Sequence, residues 1–119
     1  MPNRREFLPL APVAFEVLLA LARGPQHGYG IIQDIRERTE GELELATSTL
    51  YATLQRLEDS GLVAESFGRA LGASAGPPRK YYQVTKLGRE VALEGLARLQ
   101  RTTAQARRLL RGEPLGDAR

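Results

Sequence analysis

Thr47, Ser48, Thr49, Tyr51, Thr53, Gln55 and Arg56 put seven hydrogen-bonding side chains into ten positions, with only the small Ala52 and the apolar Leu50 and Leu54 between them. On a helix that buries Leu50, Leu54 and Leu57, all of Thr47, Ser48, Thr49, Tyr51, Ala52, Gln55 and Arg56 share the opposite face. Small hydroxyl residues at a helix start let an anion approach the backbone N–H groups, where the dipole favours negative charge. A glutamine suits an adenine edge, and an arginine suits a guanine edge or a phosphate. Arg79 and Lys80, with Arg69 upstream, add cations of the kind that hold phosphates in place without reading a sequence. His27, the single histidine, adjoins Gly28 and Tyr29, where it is a packed structural residue or a phosphate contact from a helix start. No base or nucleophile can be placed with it. Each of these residues also has a plainer use: Thr47 or Ser48 as a helix cap, Tyr51 as packing, the basic residues as solvated surface.

Composition narrows the chemistry to recognition. The 119 residues suit one domain, with enough apolar content (42%) for a modest core. The absence of cysteine excludes disulfides, thiolate metal sites and cysteine nucleophiles, and one histidine leaves little for a metal site or a catalytic triad. The expectation is a protein that is no enzyme and needs no cofactor or metal. No apolar run nears the roughly 20 residues that span a bilayer. The start, MPNRREFLPLAPV, lacks a cleavage site after a clean apolar stretch, so a cytoplasmic protein with no membrane partner is expected. Residues 1–65 carry 6 basic and 10 acidic groups, whereas residues 66–119 carry 11 basic and 4 acidic. That asymmetry fits a polyanionic partner, or a basic helix that is merely solvated.

The elements that must position these residues follow from periodicity. Phe15, Leu18, Leu19 and Ala22 fall on one face of a helix over Pro12–Arg23, widened by Val13, Val17 and Leu21, with Gly24-Pro25 as a stop. A second helix runs from Gly28 to about Thr39, with Ile31, Ile32 and Ile35 inward, Gln33, Asp34, Arg36 and Glu37 outward, and Gly41 ending it. The third starts at Thr47 or Ser48 and ends at Gly61 in the C′ position. Leu62–Phe67 and Lys80–Val84 are strands around a long tip, Gly68–Arg79. Of Tyr81 and Tyr82, alternation makes one core and the other exposed. The last helix spans Thr85 to about Arg111, with a weak heptad seam of Ala92, Leu96, Leu99, Thr103, Ala106 and Leu110. Leu87 and Val91 pack on its own domain, and the rest of the seam suits the same helix of a second copy. The fold class is therefore mainly α with a small β-hairpin: a winged helix-turn-helix over residues 1–84, a dimerisation helix over 85–111, and a frayed tail over 112–119.

Four separate stretches resemble PadR-type transcriptional regulators. They are Leu18-Leu19 with Gly24-Pro25-Gln26-His27-Gly28-Tyr29-Gly30-Ile31; Ser48-Thr49-Leu50-Tyr51-Ala52-Thr53-Leu54-Gln55-Arg56-Leu57-Glu58; Gly61-Leu62-Val63; and Pro78-Arg79-Lys80-Tyr81-Tyr82-Gln83-Val84-Thr85 with Gly88-Arg89. The resemblance covers about residues 12–95 and implies a homodimeric winged-helix repressor on a palindromic DNA operator, of the branch with a single C-terminal dimer helix. It implies DNA contacts from Thr47, Ser48, Thr49, Tyr51, Ala52, Gln55, Arg56, Arg79, Lys80, His27 and Tyr29. Leu96, Leu99, Thr103, Ala106 and Leu110 would build the dimer. Gly30 departs from the family, which often has an acid there, and weakens the second helix by roughly 0.5–1 kcal/mol relative to alanine.

Related regulators respond to phenolic acids or lipophilic drugs, which implies a small-molecule effector between the dimer helices and the DNA-binding domains. The chain has no tryptophan and its last helix has no aromatic residue, which argues against an aromatic drug sandwich and leaves Phe7 and Phe15 as pocket walls. A competing reading, a winged helix that binds only protein, calls for an apolar or acidic face on the third helix. The arginines Arg98, Arg101, Arg107, Arg108 and Arg111 are read as the solvated flank of the dimer helix. Arg56→Ala is accordingly expected to weaken operator binding far more than Arg107→Ala. Equal losses in a fluorescence-anisotropy titration would mean that the DNA-facing side is misassigned.

Overall fold

Ile31 and Ile35, one turn apart, and Leu50, Leu54 and Leu57, spaced four then three, are the apolar stripes of two helices that have to close on each other. They do so in the computed structural model, which describes residues 4–66 and 80–114. A short 3₁₀ turn, Arg4–Phe7, precedes α1 (Pro12–Ala20). Next come β1 (Gln26–His27), α2 (Gly28–Arg38), α3 (Thr47–Asp59), β2 (Val63–Ser66), β3 (Tyr81–Val84) and α4 (Lys86–Leu110). The strands form an antiparallel sheet in the order β1-β3-β2, with His27 opposite Tyr81 and Glu65 opposite Tyr82. Phe67 and the tip Gly68–Arg79, including Arg69 and Arg79, lie outside the described residues, as do residues 115–119.

The core joins Val17, Leu18 and Leu21 to Ile31, Ile35, Leu50, Leu54, Leu57, Leu62, Val63, Tyr82 and Val91. Four expectations need correction. The first helix stops at Ala20, and its expected inward residues Leu19 and Ala22 are exposed. This helix is apolar on nearly every side, so spacing alone does not select the face that α2 and α3 cover. Asp34 is not an outward residue: its side chain is only 11% exposed and holds both Arg23 (3.0 Å) and Arg38 (2.6 Å). Tyr81 and Tyr82 are both buried, at 8% and 4% exposure, because β3 is the central strand and β1 flanks it on the side opposite β2. Finally, the left-handed residue after α2 is Glu40 (φ 52°), with Gly41 (φ 82°) following it, so the acid sits where glycine was expected to end the helix.

The ends of α3 and α4 do match their signals. Gly61 N–H donates to Glu58 O and Leu62 N–H to Leu57 O, a Schellman closure with its customary apolar contact position at Leu62. Gly112 and Glu113 close α4 in the same way, donating to Leu109 O and Arg108 O, so the first residues past that helix form a turn where fraying was expected. At the start of α4, Thr85 caps the helix by accepting from Gly88 N–H (3.0 Å) and donates its hydroxyl to Gly61 O (2.7 Å). Thr85 N–H donates in turn to Leu62 O. A Cβ at Gly88 would collide with Leu62 O and stand 2.8 Å from Val84 Cγ2. Gly88→Ala is therefore expected to cost about 2–3 kcal/mol by overpacking against backbone that cannot swing away. Thermal unfolding followed by circular dichroism should show a melting point lower by roughly 10 °C. An unchanged melting point would mean that α4 can move off β2 freely.

Candidate nucleic-acid interface

Burial of Leu50, Leu54 and Leu57 turns Thr47, Ser48, Thr49, Tyr51, Ala52, Gln55 and Arg56 to solvent, so the structure brings all seven onto one exposed face. The buried stripe also includes Thr53, which the spacing of leucines did not mark; its hydroxyl donates to Thr49 O (2.8 Å). The expected cap is corrected. Ala46 is the N-cap of α3, no side chain caps the helix, and Thr47, Ser48 and Thr49 all lie within the first turn. The first N–H groups of α3 therefore end the helix without a side-chain acceptor, which suits an incoming anion. Among the described residues, Gln55 is held by an exposed bond to Asp59 (3.0 Å), and Arg56 by a long one to Thr53 (3.5 Å). Exposed bonds of this kind contribute little and exchange readily for a ligand.

A second group forms beside that face. His27 Nδ1 accepts from Gly30 N–H (3.0 Å) and so caps α2, which makes it a structural residue at the rim of the interface. Its ring lies nearly parallel to Tyr29 at 6.4 Å and edge-on to Tyr81 at 5.4 Å. Tyr51 is 45% exposed and its ring lies across the start of α2: a Cβ on Gly28 would meet the Tyr51 hydroxyl and come within 2.9 Å of Cζ. Lys80 stands 5.4 Å above the Tyr82 ring and 3.6 Å from Glu65. His27, Gly28, Tyr29, Tyr51 and Lys80 together line an open depression of about 310 Å³. Tyr82, then Glu65 and Glu58, raise the Lys80 ammonium above the usual lysine value, so it stays charged at any physiological pH. Burial, ahead of Lys80's opposing effect, pushes the Tyr82 phenol up, which keeps it neutral.

Three participants were not anticipated. Gln33 donates to the Tyr29 hydroxyl (3.0 Å), a partnership its i+4 position allowed. Gln26 shares β1 with His27, and its amide occupies the space where a Gly30 side chain would project. Glu65 stands against Lys80 with no sequence signal beyond its place on β2. Behind this surface, Arg38 ties α2 to α1 through the Glu16 carboxylate (2.9 Å) and the Glu16 backbone carbonyl (3.1 Å), and pairs with Asp34 on its own helix. Burial alone would lower the Arg38 pKa, but the hydrogen bonds it donates to Asp34 and Glu16 reverse that and raise it.

The dimer residues lie elsewhere, along α4. Leu96, Leu99, Thr103 and Leu110 are exposed, the last at 88%, and Ala106 is half-buried. Leu87 is half-buried and Val91 fully buried against the helical core. Pro9, Leu10, Phe15, Gly95, Arg98 and Leu99 are among the residues lining a groove of about 520 Å³ between α1 and α4. Phe7, expected beside Phe15 as a pocket wall, instead packs partly buried against the core. Among the described residues no cluster of His, Asp or Glu is suited to a metal, and no helix is long and apolar enough to cross a membrane.

Comparison with known proteins places this geometry. A family model described as the transcriptional regulator PadR-like family matches residues 17–94. An uncharacterized protein of Lysinibacillus sphaericus is 36% identical over 73 residues, a stretch that spans 61% of this chain and 64% of that one. A PadR family transcriptional regulator from Eggerthella lenta is similar in structure, with a TM-score of 0.68 at 28% identity over 90% of this chain and 84% of that one. Bacillus subtilis PadR, solved in complex with operator DNA, shares the fold with a TM-score of 0.59 at 22% identity, over 72% of this chain and 47% of that one.

The packing of Tyr51 over Gly28 gives a test of the site's construction. Gly28→Ala is expected to destabilise the protein by roughly 1–3 kcal/mol in urea unfolding. In a Tyr51→Ala background the same change should cost less than half as much, since the clash partner is gone. Equal costs in both backgrounds would show that Tyr51 does not rest on α2.

Proposed function

Because the chain belongs to the PadR-like family of transcriptional regulators, we propose that it binds operator DNA through α3 as a homodimeric repressor. The observation that carries this reading is the exposed face of α3: seven small or hydrogen-bonding residues beside an uncapped helix start, next to the depression that holds Lys80. An α-helix fits the major groove, and residues near its N-terminus reach the base edges. Gln55 and Arg56 supply base or phosphate contacts, the start of α3 takes a phosphate, and the wing continues along the backbone. The polar face gives no support to a winged helix that docks on protein alone. The Bacillus subtilis protein solved with operator DNA has the same fold, which supports a DNA partner for this chain.

The exposed seam Leu96, Leu99, Thr103, Ala106 and Leu110 supports pairing through α4. A two-fold dimer would set two α3 helices about 34 Å apart, in successive major grooves of a palindromic site. Repression then follows from occupying that site. The groove between α1 and α4, walled by Phe15 and Leu99, offers room for an effector whose binding would alter the α3 separation. The test is binding of the purified protein to the DNA upstream of its own gene, against a scrambled duplex, across a salt series. Tight binding to the upstream fragment alone, falling steeply with salt, is expected. Absence of binding to either duplex at low salt would overturn the reading in favour of a protein partner.

A further inference from the structure

Lys80 is the one described cation in the depression beside α3, yet it already has an acidic partner. Its ammonium lies 3.6 Å from Glu65 Oε2, and both side chains are partly exposed, at 49% and 42%. The geometry is that of a cross-strand pair at the base of the hairpin: Glu65 is on β2 opposite Tyr82, and Lys80 immediately precedes Tyr81 on the other strand. Lys80 also sits over the Tyr82 ring, which keeps its stem against the sheet and its charge at the mouth of the depression. Any phosphate entering between Tyr29, Tyr51 and Lys80 would draw Lys80 away from Glu65 and leave that carboxylate facing a second anion.

We propose that Glu65 is a built-in competitor for the DNA phosphate at Lys80, and that it holds the protein's affinity for all DNA below what its cations would otherwise give. This rests on the operator-binding reading above and adds a residue that works against it. A phosphate contact carries no base information, so the competition lowers specific and non-specific binding by the same factor. The benefit is kinetic: weaker binding to bulk DNA shortens each stay on a non-operator site, while the ratio of specific to non-specific affinity, set by the α3 face, is unchanged. Surface ion pairs contribute little, and like charges several ångströms apart in water repel only weakly. The expected effect is accordingly about three- to tenfold in affinity at low salt.

The experiment compares wild type, Glu65→Gln, Lys80→Gln and the double variant, all full-length, for binding to an operator fragment and to a scrambled duplex at low salt. Circular dichroism melting checks that these substitutions at exposed positions leave the fold intact. Glu65→Gln should tighten both duplexes by the same three- to tenfold factor, and Lys80→Gln should weaken both. In the Lys80→Gln background the gain from Glu65→Gln should shrink to less than half in logarithmic terms, since there is no longer a lysine to release. Three results would overturn the proposal: no gain from Glu65→Gln, a gain confined to one duplex, or a gain of the same size with and without Lys80. If wild type bound neither duplex, the operator-binding reading itself would fall. Wild-type binding with an inert Glu65 would remove only the competition.

Discussion

The backbone carbonyls of Gly61 and Leu62 are the point on which the other elements are hung. They sit where α3 ends and β2 begins, and both accept from Thr85, one through its hydroxyl and one through its N–H. The same Thr85 caps α4, and Gly88 lets that helix close directly onto Leu62 O. One turn further on, the Arg89 guanidinium donates to Ala22 O and brings the turn after α1 to the same junction. Helix α3, the hairpin and the long helix thus share a few backbone groups. The two backbone-to-backbone contacts, Thr85 N–H to Leu62 O and Gly88 against Leu62 O, leave little room for adjustment, because neither partner there has a rotamer to change.

Around that junction the charges are sorted by surface. Asp34, Glu16, Arg38 and Arg23 neutralise one another where α1 meets α2, away from the α3 face. The α3 face carries hydroxyls, an amide and one guanidinium, with its acids, Glu58 and Asp59, confined to the last turn. A helix so arranged keeps its N-terminal half free of carboxylates, which is the half that an anion approaches. The overall excess of three positive charges understates this arrangement, since the basic residues concentrate beyond position 65.

Most of the helical frame was legible because its signals are local. The leucine spacing of α3, Gly61 as its closing residue, Pro12 at the start of α1 and the span of α4 each depend on neighbours within a turn or two. The parts that were not legible depend on distant partners. A two-residue strand such as Gln26–His27 is too short to show alternation, and without β1 the burial of both Tyr81 and Tyr82 has no visible cause. The N-cap of α3 was misplaced for a different reason: three hydroxyl residues in a row carry no mark of which one stands outside the helix, and the position went to Ala46. The α3 side of the site could be read because exposure is simply the complement of the leucine stripe. The depression holding Lys80 could be read only in pieces, since it is assembled from α2, α3 and the foot of β3.

The junction at Leu62 also turns α4 into a lever. The helix has 25 residues, a length of about 37 Å, and its first turn is pinned to the carbonyls of Gly61 and Leu62, just past the end of α3. Past Gly95 its side chains are largely exposed, so few of the described residues pack against the far end. A tilt of about 10° at the pinned end moves the other end by roughly 6 Å over that length. The arm is long, so small differences in how the first turn of α4 is seated on Gly61 and Leu62 set where its far end lies.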